Sequence, residues 1–401
     1  MADTSFNQFF FLEMKIGDYP IVPQNVMYMY IREWAIDLAP RLEMTIKDDG
    51  YLHEYFNFED NLPIDIILGK HPDDENPIET RFMLLNHKFN LFGENIMGYV
   101  SLVGTIYAPE LFAPIKNRSF PNESSLSVIS NVVNDCGLTF ESGPNFNTDD
   151  TMTWLQCNQN NYDFINSVKK RAFKTDDAVF CYGDIYGNIK MTGFVNEAAK
   201  SSPKRVRFSM DKYTHFFFDN AEDENTIWYN YYDFVNMNSI NNKLNNYGFK
   251  CEYYDFEDGF ISDNINSSSS NLAQYQYKSK EFGDENINAI HRYFGEQNLD
   301  SHTNYSKAVA QNEYFTKNFL SFALVLNVNS ISDVKLFDKL EVAIPSLLTN
   351  DIGVINDIWS GNYLIVGILH SVGEGGIYKK QVVAVRDGYD KSSYINNLKN
   401  T

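Results

Sequence analysis

Cysteine, basic residues and long apolar runs are all scarce in this sequence, and each shortage removes a class of protein. Only four cysteines occur in 401 residues. They are Cys136, Cys157, Cys181 and Cys251, and none form a Cys-x-x-Cys pair. A disulfide framework or a zinc site needs closer or more regular spacing, so synthesis in a reducing compartment is the simpler reading. Lys and Arg total 33 against 53 Asp and Glu, a formal net charge of −20. Gripping a nucleic-acid backbone takes a basic surface that displaces counterions, which this balance excludes. An acidic surface serves either plain solubility or a passage through which nucleic acid slides without sticking. The longest apolar run, Phe319 to Leu326, is far shorter than the ~18 to 20 residues of a membrane span. The first residues lack the basic and apolar segments of a signal peptide, so no membrane insertion is expected.

Catalytic signatures are equally sparse. The sequence has no Gly-rich phosphate loop, no Gly-x-Gly-x-x-Gly, no Gly-x-Ser-x-Gly elbow and no His-Glu-x-x-His. Seven histidines are scattered without the spacing of paired metal ligands. Asp255 to Gly259 superficially resembles a calcium loop but lacks alternating oxygen ligands and a closing Glu. No catalytic, cofactor or metal residue is therefore assigned. Aromatic residues are abundant, with 26 Tyr and 31 Phe and a hydrophobic fraction of 43%. That composition fills cores, and the length suits two to four domains.

Along the chain, short strands are predicted at Phe9 to Ile16, Val26 to Trp34, Arg41 to Ile46, Leu62 to Leu68, Thr80 to Asn86 and Met97 to Tyr107. Alternation carries several of them: Leu42, Met44 and Ile46 fall on one face, Arg41, Glu43 and Thr45 on the other. Asp48-Asp49-Gly50 reads as a hairpin turn. Residues 1–112 are thus expected to form a small β-barrel or sandwich. The texture then changes. Asn122 or Ser124 caps a helix with Leu126, Ile129 and Val133 on one face, ending at Cys136-Gly137. A polar loop follows, then a second helix from Asn161 to Phe173 with Phe164, Val168 and Ala172 inward and Lys169, Lys170 and Arg171 near its end. A hairpin over Ala178 to Phe194 completes an α+β domain, residues 113–199.

Residues 200–235 and 313–390 read as a second barrel built from sequence-distant strands, among them Phe319 to Val328 and Lys335 to Ile344. Between them lies a surface excursion, residues 236–312, with a run of four serines and Asn/Gln-rich stretches. Residues 391–401 form a polar tail. The last hairpin is the most legible element. Tyr363 to Leu369 is apolar on both faces, as a strand covered on both sides requires. Gly373, Gly375 and Gly376 make the turn. The return strand, Tyr378 to Arg386, begins with Lys379, Lys380 and Gln381, so its first half is expected to meet solvent. His370 reads as a hydrogen-bonded structural histidine.

Two stretches carry a family resemblance. The hairpin positions Trp359, Ser360, Gly361, Tyr363, Leu364, His370, Tyr378, Arg386, Asp387 and Gly388 resemble the C-terminal hairpin of contractile-tail phage hub proteins. That superfamily includes the T4-type hub, the late-control D proteins and the N-terminal half of type VI spike proteins. Ser125, Ile129, Gly137, Leu138, Thr151, Trp154, Leu155, Gln156, Asn158, Gln159, Phe164 and Ile165 follow the same family's helix-loop-helix pattern in order. Tyr28 to Asp48 is similar to the first barrel of T4-type hubs. The resemblance implies a mainly β fold with an α+β insertion: two tube-like barrels, the small helix-hairpin domain and the inserted excursion. It also implies a non-enzymatic baseplate subunit that forms a homotrimer, adapts a hexameric tail tube or tube-initiator protein to a trimeric central spike, touches other baseplate subunits and lets DNA pass without specific binding. The location would be the virion tail baseplate, after synthesis in the host cytoplasm. Alternatives are the hub of a type VI-like or extracellular contractile injection system, an adhesin-like β protein and, more remotely, a tail-associated cell-wall hydrolase.

Overall fold

A computed structural model describes residues 8–9, 11–48, 52–59, 61–69, 74–92, 97–200, 202–209, 226–236, 249–255, 259–265, 275–276, 290–293, 302, 304, 307–309, 311–312, 316, 322–330, 332–345, 356, 359–386 and 388–389. Asp49, Gly50, Asp387, the tail and most of the excursion lie outside them, as does the centre of the Asp255 to Gly259 loop. The chain is mostly β, with few helices.

One sheet, fourteen strands among the described residues, curls into two rings that share the last hairpin. Gly361–Gly373 and Ile377–Arg386 form that hairpin. At about 3.3 Å per residue its longer strand spans about 40 Å, enough to serve two barrels in succession. Near its base, Gly361 to Leu364 pairs with Lys339–Val342. The ring then runs through Lys204–Phe208, Ile227–Asn236, Phe322–Val328 and Ile377–Arg386 back to the first strand, a closed six-stranded barrel. Nearer the tip, Gly367 to Gly373 pairs instead with Val26–Trp34. From there the first ring runs through Arg41–Lys47, Met97–Ile106, Ile78–Phe92, Pro63–Gly69 and Phe11–Ile16. Gln8–Phe9 pairs with Ile377 and Tyr378, which brings the sheet back to the hairpin.

The handover between rings falls at a register shift between Ile365 and Gly367. Trp34 lies across the strand here, and a Cβ on Gly367 would come 2.7 Å from the indole carbon Cζ3. Glycine is required because the indole occupies the side-chain position. Tyr363 to Ile368 is buried throughout, as a strand between two cores demands. The turn is a single 3-10 turn, Glu374–Gly376, in which Gly376 has positive φ.

The α+β unit sits against both rings. Ser125–Asp135 is capped by Ser124, whose hydroxyl accepts the Ser127 amide at 3.2 Å, and Asn161–Arg171 by Asn160, which accepts the Asp163 amide at 2.7 Å. Between the helices, just past the polar loop expected from Glu141 to Asp150, runs a strand, Met152–Gln159, paired antiparallel with Lys116–Glu123. Asn gives a weak strand signal and Gln no strong one, and only a partner about 30 to 40 residues earlier fixes the strand. Val179–Gly183 has both faces buried. Phe180 and Tyr182 meet Phe337 of the second barrel at ring distances of 5.4 and 5.1 Å, while Val179 and Cys181 enter the unit's own core with Ile129, Phe164 and Val168.

Other expectations change in the fold. Lys380 is buried, its Nζ donating to the Ser332 carbonyl at 2.7 Å, because the strand is packed there on both sides. Its first half therefore meets solvent at Lys379 rather than throughout. Arg41–Lys47 leads toward a short helix, Leu52–Tyr55, whose Leu52 amide donates to the Asp48 carboxylate at 2.5 Å. The strand expected from Lys335 begins only at Lys339, since the Asp338 carboxylate accepts the Lys335 amide at 2.7 Å and closes a turn. The end of the excursion is not on the surface: His302, Ala308, Gln311 and Asn312 are buried.

Candidate functional site

The chain's three packed bodies meet at one buried polar point. Glu33 lies near the end of Val26–Trp34, His370 on the outgoing hairpin strand and Tyr378 on the return strand. In the register Glu33 faces Ile368 and His370 faces Ile31, so Glu33 and His370 are diagonal neighbours. His370 Nε2 lies 3.0 Å from Glu33 Oε1, and Nδ1 lies 2.7 Å from the Tyr378 hydroxyl. The other carboxylate oxygen, Oε2, accepts the Ile185 amide at 2.8 Å, and Thr80 donates its hydroxyl to the Ile185 carbonyl at 2.6 Å. Burial, reinforced by the Glu33 charge, pushes the Tyr378 phenol well above its ordinary range, so it stays a donor. An imidazole carrying its proton on Nε2 then satisfies every partner: Tyr378 donates to Nδ1 and Nε2 donates to Glu33. A histidine-carboxylate pair can serve hydrolysis, but this one is sealed in, and a phenol takes its second nitrogen. Its work is to join both barrels and the small unit's hairpin.

A second polar centre organises the small unit. Trp154 is buried and donates its indole N–H to the Glu123 carbonyl at 2.9 Å, with the Arg171 guanidinium 5.6 Å from its ring. Gln156, also buried, accepts from Arg118 Nε at 2.7 Å and donates to the Gln159 carbonyl at 2.9 Å and to Asn161 Oδ1 at 3.2 Å. Arg118 reaches Asn161 Oδ1 at 2.9 Å and Asp135 at 2.6 Å. Asn158 is exposed with φ of 51°, and its amide donates to the Asn117 side chain at 2.8 Å. Phe164 stacks on Phe120 at 5.8 Å. The family-motif residues of this stretch therefore hold the paired strands to the second helix.

At the hairpin base Tyr363 donates its hydroxyl to the Trp359 carbonyl at 2.7 Å, and the Trp359 ring lies 4.7 Å from Phe234. Gly361 adopts φ of 133°, open to glycine alone. Arg386 is buried, donates to the Ser360 carbonyl at 3.1 Å and sits 4.5 Å from the Tyr363 ring centroid. Gly388 pairs with Gln276. Asp387 lies outside the described residues. Thus Trp359, Gly361, Tyr363 and Arg386 come together at one end of the second barrel, His370 and Tyr378 at the junction, and Trp154, Gln156, Asn158, Gln159 and Phe164 in the small unit. Glu33, Arg118, Asn161, Ile185 and Gly367 were missed. Only Glu33 carried a signal, as a charge in an otherwise apolar-alternating strand.

An open cleft of about 560 Å³ separates the first barrel from the small unit, lined by Glu13, Asp65, Arg81, Tyr107, Thr139 and Tyr186 among others. Arg81 is held by Asp65 through Nε at 2.5 Å and Nη2 at 3.0 Å. Among the described residues no group of three or more His, Cys, Asp or Glu is placed to hold a metal ion, and no helix is long and apolar enough to cross a membrane.

No family model matches the sequence, and no curated protein matches it. Solved structures do. The 43 kDa tail protein of prophage MuSo2 from Shewanella oneidensis aligns over 94% of this chain and 98% of its own, with 11% identity and a TM-score of 0.57. A tail protein from Neisseria meningitidis MC58 aligns over 95% and 97%, with 9% identity and a TM-score of 0.56. An E. coli component of the type VI secretion system aligns over 94% and 79%, with 8% identity and a TM-score of 0.48. This chain therefore shares the fold of these phage tail proteins.

Proposed function

We propose that this chain is a structural hub subunit of a contractile phage tail baseplate, three copies of which form a ring between the tail tube and the central spike. The observation that carries the reading is the pair of barrels built on one shared hairpin, in a chain that matches phage tail proteins over nearly its whole length. Three chains then offer six similar barrels. Such a ring presents quasi-sixfold symmetry to a hexameric tube or tube-initiator protein and threefold symmetry to a trimeric spike. Barrels also leave few open strand edges, which suits a subunit that must stay soluble before assembly. In this reading residues 1–112 and the combined 200–235 and 313–390 are the two ring-forming units, and 113–199 is the arm toward other baseplate subunits. The motif residues are structural, and the protein is a virion component without catalytic work.

With −20 charges per chain, the ring is strongly acidic. A lumen of that sign repels DNA phosphates and keeps passing DNA from sticking. The reading is tested by light scattering on the purified protein, alone and with a candidate spike. A mass of three times 46.3 kDa, alone or once the spike is added, supports the ring. A monomer under both conditions removes it.

A further inference from the structure

The second helix of the small unit ends on carbonyls that its own sequence does not satisfy. The last four carbonyls of any helix lack intrahelical partners. Here partners for the carbonyls of the last turn and cap, Lys170, Arg171 and Ala172, come from more than 130 residues further along the chain. His302 Nε2 lies 3.1 Å from the Arg171 carbonyl. Gln311 donates its amide to the carbonyls of Lys174 and Asp177 at 2.6 and 2.8 Å. Asn312 donates to the Ala172 carbonyl at 2.7 Å and accepts the Val179 amide at 3.1 Å. All three side chains are buried, and they precede the barrel strand Phe322–Val328.

We propose that His302, Gln311 and Asn312 form a clip that holds the chain preceding Phe322–Val328 against the small unit, and that the clip loosens on acidification. A carbonyl can only accept, so His302 carries its proton on Nε2 in the closed clip. Its ring lies 6.3 Å from Trp154 and 6.4 Å from Phe173, an apolar slot. Among the described residues, the charged groups facing it are Arg171, which opposes a second cation, and Asp150, which favours one. Asp150 is already engaged by the Ser125 amide at 2.6 Å, the Ser125 hydroxyl at 2.7 Å and the Phe173 amide at 2.7 Å. Burial dominates and holds the imidazole below its ordinary value. A proton taken up in acid is therefore best accommodated by moving the ring toward water, which releases the Arg171 carbonyl.

Hydrogen exchange of the full-length protein, corrected for the intrinsic pH dependence, tests this at about pH 7.5 and about pH 5. In the wild type, protection of the amides from Phe173 to Val179 is expected to fall about tenfold in acid, the worth of one lost buried hydrogen bond. Asn312→Ala should give that loss at both pH values. His302→Gln keeps a donor for the Arg171 carbonyl but does not titrate, so the acid effect should vanish. Unchanged protection in Asn312→Ala overturns the clip. An acid effect that persists in His302→Gln, or is missing from the wild type, overturns the role of His302.

Discussion

Replacing Glu33 by alanine tests the idea that one buried carboxylate joins the three parts of the molecule. The side chain accepts from His370 Nε2 at 3.0 Å and from the Ile185 amide at 2.8 Å. Its removal leaves two buried donors without acceptors, each costing about 1–3 kcal/mol, so the total is about 4 kcal/mol. Unfolding entropy of about 2.1 cal/mol/K per residue, taken over 401 residues, gives about 0.8 kcal/mol per kelvin, and the loss corresponds to a fall in Tm of about 5 °C. Differential scanning calorimetry at neutral pH measures it. Glu33→Gln keeps one acceptor and should lose about half as much. In a double-mutant cycle with His370→Ala, the coupling should exceed about 1 kcal/mol, because both changes break the same network. A Glu33→Ala protein within about 1 °C of wild type, or a cycle with no coupling, refutes the junction.

Two further outcomes follow from the geometry. Gly367→Val should destabilise by about 1–3 kcal/mol, because its Cβ would lie 2.7 Å from the Trp34 ring; Trp34→Leu in the same chain should restore part of the loss in urea titrations. The Asp177 carboxyl, which accepts the amides of Val195 and Asn196, is pushed up from 3.8 to about 6 by burial. The fold therefore disfavours its ionised form. Its contribution is complete below about pH 4 and is lost as pH rises through about 6. The stability difference between wild type and Asp177→Asn should shift by about 3 kcal/mol across that interval, a slope read from denaturant midpoints at successive pH values. A flat difference contradicts the burial of that charge. The acid loosening at His302 has the opposite sign, so subtracting the variant isolates each.

Much of the fold was legible because it rests on local period and caps. Val26 to Trp34 was read with its observed bounds, and both helices began within a residue of their caps, since Ser124 and Asn160 act on amides two or three residues away. The continuous apolar run from Tyr363 correctly indicated a strand between two cores. Elements defined by distant partners were harder. Met152–Gln159 reads as a strand only with Lys116–Glu123 beside it. The Tyr-rich stretch from Trp228 to Phe234 shows no clean alternation of its own, and its place as a strand comes from pairing with Phe322–Val328. His302, Gln311 and Asn312 sit in Asn/Gln-rich sequence, and their burial goes with bonds to carbonyls at the end of the second helix and just beyond it.

Local pattern carries the mainly β class and the strand and helix starts at Val26, Ser125 and Asn161, because alternation and caps act over a few residues. The tertiary structure alone decided that the last hairpin belongs to two rings at once, that Lys380 is buried, and that Glu33, His370, Tyr378 and Ile185 share one hydrogen-bonded junction. Those outcomes depend on register between strands far apart in the chain. A shift of one residue turns every side chain to the opposite face, and no local pattern fixes that choice.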